Sequence, residues 1–106
     1  MPIFVDRHRL IAVPSTTRHQ LHLEAMNGLV DRHGVRPLSN WLADGVIYCI
    51  VEASDREAFC THHAERGLPC DDLHVLPQVG GGHPFSEDDT QRVRSAIASL
   101  WPADYA

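Results

Sequence analysis

The run Val46-Ile-Tyr-Cys-Ile-Val-Glu52, entered through Asp44-Gly45 and followed by Ser54-Asp-Arg-Glu57, leaves this chain little freedom in how it folds. A tight-turn pair ahead of a β-branched apolar run reads as the second arm of a hairpin. The Ser-x-x-Glu after it is a capping box, with Ser54 as the capping residue, and the helix it opens runs to Gly67. Hairpin, strand and helix thus follow each other almost without a loop. The same stretch holds Cys49 in the middle of its strand and the adjacent pair His62-His63 in its helix. His62 falls four residues after Ala58 and three after Phe59, on the stripe that has to face a sheet, so it is either buried and hydrogen-bonded or a ligand.

Working outward, Ile3 to Leu10 alternates as a strand, with Ile3 and Val5 on one face and Phe4, Asp6 and His8 on the other. Ser15 opens a helix in which Leu21, Ala25 and Leu29 recur at helical spacing, with Gly34 as the stop. His22 lies near the buried seam of that helix. Val35 to Ala43 is the other arm of the hairpin. Leu73 to Val79 reads as a fourth strand, and Pro77 within it restricts it to an edge, since proline cannot donate to a ladder. The order predicts an α+β domain over residues 1–79, a ferredoxin-like split βαβ unit (βαββαβ) with an antiparallel four-stranded sheet. Right-handed crossovers put the first and third strands in the centre and both helices on one face. Residues 80–85 read as a glycine-rich hinge, and 86–101 as an added C-terminal amphipathic helix presenting Val93, Ile97, Leu100 and Trp101. The sheet face away from the first two helices stays apolar, so the expectation is a homodimer that covers it, with the last helix packed on the domain or on the partner.

Composition excludes more than it assigns. A net charge of −5 with no Lys/Arg cluster leaves no stripe to follow phosphates, so no nucleic acid is expected. No apolar run approaches a membrane span, and the N-terminus enters a strand without the pattern of a signal peptide, so the expectation is a cytoplasmic protein with no membrane partner. Three widely spaced cysteines make no disulfide framework and are expected to be reduced. Eight histidines in 106 residues direct attention to a metal or proton-transfer site.

The strand Asp6-Arg7-His8, Trp41 shortly before a turn, the strand end Tyr48-Cys-Ile-Val-Glu-Ala53 and the stretch from His62 to Gly67-Leu-Pro69 together resemble the small bacterial nickel-binding, ferredoxin-like domains of the dimeric α/β-barrel group. The resemblance covers about the first three quarters of the chain and does not extend past Gly80. It implies the fold, a dimer and nickel binding.

A metal site would gather His8, His62, His22 and Cys49, since imidazole and thiolate are the donors that divalent transition ions such as Ni²⁺, Cu²⁺ and Zn²⁺ prefer. Asp6 shares a strand face with His8 and could orient its ring. His63, Cys60 and His19 are expected to be solvated, and His33 to sit at the end of the first helix. An alternative from the same fold group is a cofactor-independent, oxygenase-like enzyme with a histidine base in a pocket lined by Trp41, Tyr48 and Phe59. A third reading is a non-catalytic structural module whose histidines only satisfy hydrogen bonds.

Overall fold

In the computed structural model, which describes residues 1–102, the chain is α+β, with a four-stranded antiparallel sheet and three helices. Strands β1 (Ile3–Arg9), β2 (Arg36–Ala43), β3 (Val46–Glu52) and β4 (His74–Val75) lie in the order β2-β3-β1-β4. Helices α1 (Ser15–Asn27) and α2 (Arg56–Ala64) follow β1 and β3, and α3 (Glu87–Leu100) follows β4. None of these helices is long and apolar enough to cross a membrane.

Alternation along the strands divides the core in two. On one face Phe4, Ile47, Cys49 and Val51 pack with Leu21, Phe59, Leu68 and Leu73. On the other, Ile3, Val5, Leu38, Ile50 and Leu76 pack with Val93, Ala96 and Ile97 of α3. The face expected to seek a second copy is therefore covered within the chain. Trp101, just past α3, fastens that cover: its indole Nε1 donates to Asp72 Oδ2 at 2.9 Å and its ring lies under the Arg7 guanidinium, 4.9 Å away.

Several boundaries differ from those read in the sequence. Helix α1 stops at Asn27, because Gly28 takes the left-handed conformation (φ 61°) and its N–H closes onto Glu24 O. The chain then turns around Asp31, whose Oδ1 accepts from the N–H groups of His33 and Val35. His33 is thus outside the helix and pairs with Glu65 instead (3.1 Å). Helix α2 is capped by Asp55, not Ser54: Asp55 Oδ1 accepts from Ala58 N at 2.8 Å. Strand β4 is reduced to two residues, with Pro77 beyond the ladder, although Leu76 N–H still reaches Ile3 O at 2.7 Å. The cysteines are not all reduced: Cys60 of α2 is bonded to Cys70 in the loop before β4, and Cys49 alone is free. Wide spacing in sequence did not keep the two apart, because the loop after Gly67 folds back along α2.

Gly81 is the position where the chain after the sheet needs a missing side chain. It has φ 80°, and a Cβ there would stand 2.6 Å from Ile3 Cδ1. Asp89, in the first turn of α3, accepts from the N–H groups of Gly80 and Gly81, both at 3.1 Å, so the glycine run is tied to the helix it precedes.

Candidate metal centre

Strand pleating sends Phe4, Asp6 and His8 toward α1 and α2, and register sets Asp6 opposite Cys49. Helix α2 lies over this row, and His63, one turn after Phe59, projects down onto it: its ring stacks on Phe59 with centroids 4.3 Å apart and lies 5.4 Å from the His8 ring. Asp6, His8, Cys49 and His63 each offer one donor atom, and these donors all lie within 4.8 Å of one another. All four residues are buried, Asp6 and Cys49 to 1% exposure and His63 completely.

The polar atoms at this point are poorly satisfied. Asp6 Oδ2 lies 2.8 Å from His8 Nε2 and 3.1 Å from His63 Nε2. Both carboxylate oxygens and both Nε2 atoms are buried, and beyond these contacts with one another they meet no hydrogen-bond partner among the described residues. An unsatisfied buried polar atom costs roughly 1–3 kcal/mol, and a cation at the point where these four converge would satisfy them together. Burial pushes the Asp6 carboxyl up, but the His63 and His8 imidazoles outweigh it and hold the group below the usual carboxylate range. Burial, with the Asp6 charge added, drives the Cys49 thiol well above its ordinary value, so a free thiolate does not form there unaided.

His62 stands one layer out. Its Nδ1 is 3.1 Å from His63 Nδ1, and its Nε2 is 3.4 Å from Glu24 Oε2 on α1. Arg66 holds that carboxylate with two hydrogen bonds, Nε to Oε1 at 2.8 Å and Nη2 to Oε2 at 2.7 Å, and donates to His62 O as well. Burial first, then the charges of Arg66 and His63, lower the His62 pKa from 6.5 to about 4 against the opposing pull of Glu24. The neutral ring is therefore the resting form.

Of the residues singled out in the sequence, His8 and Cys49 are brought together and His62 is beside them. His22 is not: α1 buries Leu21, Glu24 and Ala25, and His22, about 100° round the helix from Leu21, is exposed at a separate cleft. His63, expected in solvent, is fully buried. The signal that could have found it is the four-residue step from Phe59, which puts both on one stripe, and Asp6 was legible as a strand neighbour of His8. The aromatic pocket of the enzyme reading does not form, because Trp41 and Tyr48 stack on each other (5.3 Å) on the α3 face, whereas Phe59 packs on Phe4 (5.9 Å) across the sheet.

Comparison with known proteins adds nothing to this geometry: no family model, no curated protein and no solved structure matches the chain.

Proposed function

We propose that this chain binds a divalent transition metal between β1, β3 and α2, through Asp6, His8, Cys49 and His63. The observation that carries the reading is the set of buried donor atoms within 4.8 Å of one another, in which the Asp6 carboxylate and the Nε2 atoms of His8 and His63 meet only each other among the described residues. Two imidazoles, one carboxylate and one thiolate suit the tetrahedral preference of Zn²⁺ and lie within the donor range of Ni²⁺ and Cu²⁺. Nickel is the ion favoured by the resemblance of the first three quarters of the chain, which also supports assigning the strand order to the ferredoxin-like fold. Around a tetrahedral ion four protein donors leave no open position, which favours a centre that holds or stores an ion over one that activates a substrate on it.

His62 belongs to this reading as the residue that sets the tautomer of His63. With His63 Nε2 turned to the donors, its proton sits on Nδ1, which donates to His62 Nδ1; the proton of His62 is then on Nε2, toward Glu24. Cys49 has to lose its proton on binding, so affinity falls as the pH is lowered.

The test is titration of untagged, metal-free protein with Ni²⁺, Zn²⁺ and Cu²⁺ by calorimetry, and with Co²⁺ by absorption. One ion per chain and a thiolate-to-cobalt band that disappears in Cys49→Ser are expected. His63→Ala should lose most of the affinity and His22→Ala almost none. Absence of binding by folded protein, or equal binding by the His63 and His22 variants, would return the chain to the plain structural module.

A further inference from the structure

Residues Ser15, Arg18, His19 and His22 are spaced at i, i+3, i+4 and i+7, one face of α1, and they form one wall of a cleft of about 380 Å³. The facing wall is the outer part of the sheet: Asn40 and Leu42 of the edge strand β2, and Ile47 of β3. The volume lies within the range of small-molecule sites.

The chemistry of the lining has one sign. In a chain of net charge −5, no acidic side chain among the described residues lines this cleft. It offers a guanidinium, two imidazoles, an amide and a hydroxyl. Two of its donor atoms, Arg18 Nε and Asn40 Nδ2, are buried with no hydrogen-bond partner among the described residues. A buried donor left unmade is costly, and here an arginine and an amide from different elements are left so at one cleft. Both lack an acceptor. Beside them the surface is apolar: Ile47 is 3% exposed, and Leu42, at 57%, leaves an apolar rim open to solvent.

We propose that this cleft is a binding site for a small organic carboxylate, whose oxygens accept from Arg18 and Asn40 and whose apolar body lies along Ile47 and Leu42. Arginine matches a carboxylate by two parallel hydrogen bonds, and the amide adds a third donor. One permanent cation suits a monoanion better than a phosphate. His22 here lines the anion cleft and is not a metal ligand. The site is separate from the metal centre, although Asn40 pairs with Cys49 in the sheet, so the two must be tested apart.

The experiment is a titration of the full chain, stripped of metal on a chelating resin, with benzoate and hexanoate, followed by nitrogen-15 NMR. Benzamide serves as the uncharged control and inorganic phosphate as the control without an apolar body. Saturable shifts of the Arg18 Nε–H and Asn40 side-chain signals are expected with both carboxylates, and little change with benzamide or phosphate. Arg18→Gln and Asn40→Leu, each on a half-exposed residue whose fold the same spectra check, should weaken binding by about ten-fold or more. No saturable shift with either carboxylate up to about 20 mM, affinity unchanged in both variants, or phosphate binding as well as benzoate would each overturn the proposal. Binding that persists in the metal-free protein separates it from any failure of the metal reading.

Discussion

His62 is completely buried, and its pKa, lowered to about 4, makes the protein sensitive to mild acid. Its folded-state value lies below the unfolded one of 6.5, so between the two the unfolded chain binds more protons. The contribution of His62 is therefore fully present above about pH 6.5 and is lost as the pH falls toward 4, up to about 3 kcal/mol in all. Urea unfolding of metal-free protein across that range should show stability rising with pH, and His62→Gln, which can hydrogen-bond but does not titrate, should flatten the rise. An identical slope in both proteins would mean that another group is responsible. The residues of the centre are partly legible in the sequence. His8 and Cys49 follow from strand period and burial, but the choice between His62 and His63 turns on how α2 rotates over the sheet. Helical spacing puts both within a turn of Phe59, and only the packing of Phe59 on Phe4 decides which ring meets Asp6.

Among the elements, α2 has the most attached to it. Its first turn depends on Asp55, and Asp55→Ala should cost about 1 kcal/mol in chemical unfolding while Ser54→Ala costs far less; the reverse order would restore the capping box. The capping box read in the sequence named Ser54, and the structure moves the cap one residue on, to Asp55. Beyond its C-terminus the chain returns so that Cys70 bonds Cys60, one turn before His63. Closing a loop of this size stabilises the fold by about 3 kcal/mol in the chain-entropy description. Denatured protein should accordingly show one reactive thiol before reduction and three after, and the reduced form should melt lower. Three thiols at the outset would describe a protein kept reduced, the usual state of cysteines in a cytoplasm. The pairing could not be read from spacing alone, since it depends on a loop with no periodic signal.

At the scale of the whole molecule the question is what covers the second face of the sheet. The first 79 residues read as a unit with one apolar face left over, and a second copy was the simplest cover. In the single chain that face is occupied by α3, with Val93 and Ile97 each 3% exposed against Ile3, Val5, Leu38, Ile50 and Leu76. The amphipathic pattern of residues 86–101 was plain in the sequence; its destination was not, because a period of 3.6 residues says that a face is buried and not against what. We propose that homodimerisation through this sheet face and docking of α3 are alternatives, since both use the same side chains. Each large side chain uncovered forfeits roughly 1.5–3 kcal/mol, so a chain ending at residue 79 should melt well below the full-length protein. It should also associate at micromolar concentration in light scattering, whereas the full chain stays monomeric. Trp101→Phe, which removes the indole donor to Asp72 and keeps a ring under Arg7, should loosen α3 without exposing the whole face, and its melting point should fall between the two. A full-length dimer whose mass does not depend on α3 would place the contact on another surface. An unchanged melting temperature after truncation would show that α3 contributes nothing to the fold it covers.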